Sequence, residues 1–242
     1  MLIPIIYENE EIFIINKPAG LAVQGGEKIT HSLDNELAKQ VGYKVYLVHR
    51  LDKETAGLMV VAKSAFAASK WTKLISSKAV KKEYIAVCCG KLAKKSGVID
   101  DSVVQHGETK RAVTKYTVEE EWSLNYEPNG AVETEPGGRA GKTEPADSFD
   151  FCKIRLCLET GRMHQIRIHL AAQGCPICGD DQHGNFKLNK LLKKQFKIKN
   201  LLLAAVKLTV PMDGEKIVFE IDIPDYMKLE RRGDFHLLDR HL

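Results

Sequence analysis

Val48-His49-Arg50-Leu51-Asp52-Lys53-Glu54-Thr55-Ala56-Gly57-Leu58-Met59-Val60-Val61 is the stretch from which this chain is best read. One acid, Asp52, stands between basic residues and is followed at once by Leu58, Met59, Val60 and Val61, a run with the composition of a buried strand. A surface aspartate has no need of that setting. An acid that must stay ionised and face a ligand does.

Working outward, residues 12–15 are β-branched and aromatic and read as a strand, which Asn16-Lys17-Pro18-Ala19-Gly20 ends with turn chemistry. Residues 32–41 carry helical spacing, and residues 64–76 are alanine-rich without Gly or Pro and read as a second helix. Residues 82–90 and 110–118 alternate as strands, and residues 151–158 are strand-like. Residues 163–173 read as a helix closed by Gly174 and Pro176. Two closing strands, 201–210 and 216–223, flank a Met212-Asp213-Gly214-Glu215 turn. Strands outnumber helices and are mostly joined by short turns. The expected class is α+β, a mixed, mainly antiparallel central sheet with flanking helices.

The 242 residues are expected to form a single catalytic domain with its core at about 10–225, a flexible insertion at 127–147 and a peripheral charged tail at 226–242. A net charge of +4 does not by itself indicate nucleic acid, but lysines cluster at Lys78, Lys81 and Lys82 and again between Lys187 and Lys199. Each cluster reads equally well as a solvated face. No stretch approaches the roughly 20 apolar residues that cross a bilayer, and the N-terminus lacks the basic region and cleavage site of a secretion signal. The six cysteines have no disulfide-framework spacing, so a cytoplasmic location is expected. Cys175-Pro176-Ile177-Cys178 is half of a zinc pattern with no second half, and no metal is expected. Gly137-Gly138-Arg139-Ala140-Gly141-Lys142-Thr143 falls one residue short of a phosphate loop and is not read as one.

The run His49-Arg50-Leu51-Asp52-Lys53-Glu54-Thr55 resembles the catalytic motif of the RluA-type pseudouridine synthases. Asn16 to Leu21, Lys82 to Gly90 and Lys110 to Tyr116 are similar to further segments of that family. Glu159-Thr160-Gly161-Arg162-Met163-His164-Gln165-Ile166-Arg167-Ile168-His169-Leu170-Ala171 resembles its arginine-bearing helix, and the likeness spans about residues 10 to 225. Three positions depart from it: Ala56 stands where serine is usual, His183 where tyrosine is usual, and Ala204 where histidine is usual. The small RNA-binding domain that many members of that family carry in front is not expected here, because the first core strand is read almost at the start of the sequence.

The resemblance implies the pseudouridine synthase fold and the isomerisation of a uridine in ribosomal or transfer RNA by a stand-alone, monomeric catalytic domain. That reaction moves a glycosidic bond from N1 to C5 with no redox change, so no cofactor is expected. It requires an ionised carboxylate at the ribose, as nucleophile at C1′ or as base at C2′. The resemblance implies Asp52 for that carboxylate, Arg167 as the guanidinium that forks onto it, and Tyr84 as a platform under the extruded base, able also to handle the C5 proton. It further implies Arg50, His49, Leu51, Thr55, Lys82, Arg162 and Leu203 on the substrate and RNA side. Arg50 would enter the space left by the flipped base, and Leu203 would wall the pocket. Lys81, Lys110 and Arg111 are read as phosphate contacts, and His49, His164 and His169 as hydrogen-bonded scaffold. The rival reading is a non-catalytic RNA-binding protein that keeps the fold.

Overall fold

The computed structural model describes residues 1–26, 31–105, 107–126 and 147–229. Its organising segment is the apolar run after Thr55. Strand β4 (Ala56–Ala62) is buried at every residue, and β2 (Ile12–Lys17) pairs with it antiparallel from Ile12↔Ala62 to Lys17↔Gly57. Side chains of a strand alternate between faces. Ile12, Ile14, Leu58 and Val60 accordingly enter one core, and Phe13, Ile15, Met59 and Val61 the other. Both faces are covered, which is why these strands are apolar throughout instead of alternating.

Among the described residues ten strands make one sheet. The remaining strands are β1 (Ile5–Glu8), β3 (Tyr46–Leu47), β5 (Lys81–Cys89), β6 (Ser96–Gln105), β7 (Glu108–Tyr126), β8 (Asp147–Leu158), β9 (Leu203–Met212) and β10 (Glu215–Glu220). The order is β1-β2-β4-β9-β5-β8-β7-β6, with β3 added on β4 and β10 on β9. β4 and β9 pair parallel, and the other pairings are antiparallel. One face of the sheet carries α1 (Leu33–Val41), α3 (Gln165–Ala172) and α4 (Phe186–Phe196), through Leu33, Leu37, Ile166, Leu170 and Leu192. The other carries α2 (Ala65–Ser76), which buries Trp71 and ties its indole N–H to Glu11 at 3.0 Å. Ser64 caps α2 by accepting from the Ala67 N–H.

The parallel contact between β4 and β9 determines where the Asp52 loop lies. Gly57 has φ +115°, and a Cβ there would sit 2.2 Å from the carbonyl oxygen of Ala205, so only glycine lets the two strands meet. Ala56 and Ala204 are register partners in this contact, and both are buried. Two of the three departures from the family pattern therefore fall on one spot. A pair of methyl groups there leaves no buried polar atom to satisfy.

The expected class holds, with differences at particular elements. β6 was not anticipated: most of its residues are exposed and it carries Asp100 and Asp101, so it lacks an apolar rhythm. β7 and β8 run well beyond 110–118 and 151–158, and α3 is shorter than 163–173. The core reaches past both expected limits, since Ile3 is fully buried and Met227 nearly so, in the 3-10 turn Asp225–Met227. Residues 127–146, which include the glycine-rich stretch 137–143, and 230–242 lie outside the described residues. None of the described helices is long and apolar enough to cross a membrane.

Candidate active site

The chain from Val48 to Thr55 leaves β3 and enters β4 as a loop whose shape is held from beneath. Lys17, at the end of β2, is fully buried, and its ammonium donates to the carbonyls of Pro18 (2.9 Å), Leu21 (2.9 Å) and Lys53 (3.0 Å). Gly20 N–H donates to the same Lys53 carbonyl at 2.8 Å, and Thr55 N–H to the Asp52 carbonyl at 3.1 Å. Burial lowers the Lys17 pKa to about 8, against the pull of the Glu54 and Asp52 carboxylates. Lys17 thus joins the Asn16 to Gly20 turn to the Asp52 loop. Lys17→Met keeps the apolar stem, removes the ammonium donor from the Pro18 and Leu21 carbonyls, and leaves the Lys53 carbonyl with the Gly20 N–H alone. It should cost about 1–3 kcal/mol of stability and lower kcat more than KM. Urea unfolding and RNA-saturation kinetics check this, and unchanged kcat would remove Lys17 from any positioning role.

Asp52 opens onto a cleft of about 850 Å³ between the 48–55 loop, β5, the segment from Leu158 to Arg167 and the start of β9. The ten residues that the resemblance assigned to catalysis or to the substrate and RNA side line this cleft: Asp52, Arg167, Tyr84, Arg50, His49, Leu51, Thr55, Lys82, Arg162 and Leu203. They come from widely separated parts of the chain, and the sheet order brings them together. β9 lies between β4 and β5, so Leu203 stands beside both the Asp52 loop and Tyr84. The β5–β9 register slips between Glu83 and Tyr84, an irregularity of the kind that re-aims a side chain.

Arg167 is 4% exposed on α3, and its Nη1 lies 3.6 Å from Oδ2 of Asp52. The expected fork is made with a different acid. Nε and Nη2 donate to Oδ2 and Oδ1 of Asp180 at 2.8 and 2.7 Å. Asp180 is 1% exposed, and its Oδ1 also accepts from the backbone N–H groups of Gln182 and His183 at 3.0 Å each. Burial opposes both charges, yet their mutual hydrogen bonds prevail. The guanidinium is raised further above its ordinary value and the Asp180 carboxyl is held below its own. Among the described residues Nη1 has no hydrogen-bond partner, and that edge of Arg167 faces Asp52. Thr55 Oγ1 at the cleft is likewise buried and without a partner among the described residues. Gln165 holds this end of α3: its amide donates to Val113 O and Thr114 Oγ1, while its oxygen accepts from Thr160 Oγ1 and Arg162 N–H.

Tyr84 is 5% exposed. Burial first, and then the Asp52 charge, raise its phenol pKa, so the hydroxyl stays protonated. His49 accepts the Val60 N–H on Nε2 at 3.0 Å, which requires a neutral ring. Burial, then the Lys82 charge, lower its pKa from 6.5 to about 3. A proton excluded from the folded state but taken up on unfolding makes stability fall as pH drops from about 6.5 toward about 3. Between about pH 6 and pH 4, wild type should lose roughly 1 kcal/mol per pH unit more than His49→Gln. Parallel stability curves from urea unfolding would contradict this.

His169, read as hydrogen-bonded scaffold, is buried with its Nδ1 2.9 Å from Thr114 Oγ1. His164, also read as scaffold, has its Nε2 3.8 Å from Oδ1 of Asp52. Lys81, Lys110 and Arg111 are outside the cleft. Arg111 is paired with Asp100 and Lys110 with Glu108, so these two cations are already engaged. Arg50, Lys78 and Arg162 are exposed around the cleft and Lys82 is half-buried within it. The functional reading of the sequence gave no role to Lys17 or Asp180, and it singled out His183 only as a departure from the family pattern. Lys17 and Asp180 sit in stretches that resemble the family's, and that context was the available signal.

Residues 11–172 match the family described as RNA pseudouridylate synthase. The ribosomal large subunit pseudouridine synthase C of Rickettsia bellii (strain RML369-C) is 35% identical over 224 residues, covering 92% of this chain and 69% of that protein. The tRNA pseudouridine synthase C of Vibrio parahaemolyticus serotype O3:K6 (strain RIMD 2210633) is 31% identical over 235 residues, covering 91% of this chain and 90% of that protein. Among solved structures, Human RNA Pseudouridylate Synthase Domain Containing 4 aligns with a TM-score of 0.66 at 25% identity, over 93% of this chain and 90% of that one. Human RNA Pseudouridylate Synthase Domain Containing 1 shares the fold with a TM-score of 0.68 at 21% identity, over 91% of this chain and 83% of that one. With the match running through the Asp52 loop, Tyr84 and Arg167, the chain belongs to the RNA pseudouridylate synthase family, as the likeness of residues 49–55 implied.

Proposed function

We propose that this protein isomerises uridine to pseudouridine in RNA, with Asp52 as the carboxylate that acts on the ribose. One observation carries the assignment of Asp52: it is the acid of the cleft that faces Nη1 of a buried arginine whose Nε and Nη2 are bound to Asp180. Asp180 keeps Arg167 charged and in place, and Arg167 in turn favours the ionised form of Asp52. Asp52 then attacks C1′ or takes the C2′ proton, the N1–C1′ bond breaks, and the freed uracil turns to present C5. A C5–C1′ bond forms as the Asp52–C1′ ester bond breaks or, if C2′ was deprotonated, as Asp52 returns the proton to C2′; the proton on C5 then leaves, and N1 gains one. The atoms balance without a cofactor.

Tyr84 and Leu203 supply an aromatic and an apolar wall for the extruded base, a stacking worth roughly 1–3 kcal/mol. A phenol held protonated suits stacking and donation better than acting as the base at C5. Arg50, Lys82 and Arg162, with Lys78, give the cleft the positive charge that phosphates seek, with affinity that falls as salt rises. A single-domain monomer working in the cytoplasm on ribosomal or transfer RNA is part of this reading. Six cysteines without a disulfide fit a reducing compartment. Ribosomal or transfer RNA carrying tritium at C5 of uridine tests the function directly. The protein should release tritium to water and leave pseudouridine in the chain. Binding without release would favour the non-catalytic reading, and release of free uracil would indicate a glycosidase.

A further inference from the structure

His164 and His183 meet edge to face, with ring centroids 5.0 Å apart and planes at 73°. Nδ1 of His164 lies 2.8 Å from Nε2 of His183, a hydrogen bond that holds one proton. The remaining nitrogen of His164, Nε2, lies 3.8 Å from Oδ1 of Asp52. A chain of contacts therefore runs from the Asp52 carboxylate through His164 to His183, and the mechanism above makes no use of the two histidines.

The charge at the end of the line decides which ring donates. If His164 donated from Nδ1, its Nε2 lone pair would face the Asp52 carboxylate, and two acceptors would oppose each other. If His183 donates, His164 carries its proton on Nε2 and directs an N–H at the carboxylate. The second arrangement is the attractive one. His183 is suited to donate as a neutral ring, because burial lowers its pKa. The Asp180 and Asp52 carboxylates pull the other way, while Arg167 and His164 add to the effect of burial. Its backbone N–H is held by Asp180, the acid that braces Arg167. His164 sits at φ +54° just before α3, so its ring is placed by the same helix start that carries Arg167.

We propose that His183 and His164 form a positioning pair for Asp52: His183 donates its Nε2–H to Nδ1 of His164, which aims the His164 Nε2–H at Oδ1 of Asp52 while Arg167 faces Oδ2. The carboxylate is thereby oriented through both oxygens, by an imidazole on one side and a guanidinium on the other. His183, one of the departures from the family pattern, acquires a role as a donor. The inference rests on the reading of the cleft as a uridine site.

Long-range ¹H–¹⁵N imidazole spectra of the full chain, labelled with ¹⁵N, give the tautomer of His164 without any substitution. The Nε2–H form is expected, and the Nδ1–H form would overturn the proposal. For kinetics, His183→Phe removes the donor and should lower kcat about 10- to 100-fold with KM within about twofold. His183→Tyr places an O–H donor in the same space and should recover most of that loss. Equal losses in both variants, or a change confined to KM, would reduce the pair to packing and refute the idea. If wild type releases no tritium from any RNA, the uridine reading is what has failed, and the tautomer spectra still decide the geometry.

Discussion

Asp52→Asn should abolish pseudouridine formation while RNA binding survives. Asparagine matches the carboxylate in shape but cannot attack C1′ or take a proton from C2′, so turnover should fall at least about a thousandfold. The fold should tolerate the change, because the Asp52 side chain is 18% exposed and the loop is held through main-chain carbonyls by Lys17 and Gly20. RNA affinity and its salt dependence should persist, since the cations around the cleft carry them. Tritium release measured beside filter binding separates the two properties. Normal turnover in Asp52→Asn would remove the carboxylate from the mechanism, and joint loss of binding and turnover would point to misfolding.

The second large effect is expected at a residue that does not itself line the cleft. Asp180→Ala leaves Arg167 as a buried cation without its paired acid and leaves the Gln182 and His183 N–H groups without their acceptor. Removing one partner of a buried pair costs about 3–5 kcal/mol, because the remaining charge has been desolvated with nothing to offset it. Activity should fall as well, since an Arg167 freed from Asp180 would swing onto Asp52 or toward solvent and lose its present placement. Urea unfolding together with tritium release tests both parts. A stability loss below about 1 kcal/mol would mean that the pair is a weak surface contact, contrary to exposures of 4% and 1%. Asp180→Asn, which retains one acceptor oxygen, should lie between wild type and Asp180→Ala.

Which parts of this protein were legible in the sequence follows from how local each signal is. The strand at Ile12–Lys17 and the one after Thr55 were readable because their β-branched and apolar composition needs no partner to be recognised. Helix α2 was readable from its alanine-rich run after Ser64. β6 was not, since a mostly exposed strand has neither apolar run nor alternation and exists because β7 pairs with it. Lys17 in a turn next to proline reads as a solvated cation. Its complete burial depends on three carbonyls converging from residues 18, 21 and 53.

The sequence alone determined the sheet-dominated α+β class and the family likeness, and it supplied ten residues that the fold gathers around one cleft. It could do so because residue type, spacing and apolar rhythm are written locally along the chain. The tertiary structure decided the partnerships: Arg167 forks onto Asp180, leaving one edge to face Asp52, His164 links Asp52 to His183, and Ala56 meets Ala204 across a contact that only Gly57 permits. Those pairings depend on sheet order and on where a loop returns after a helix. The strength of a charge or hydrogen bond then depends on the burial that this packing creates, and no short window of sequence contains it.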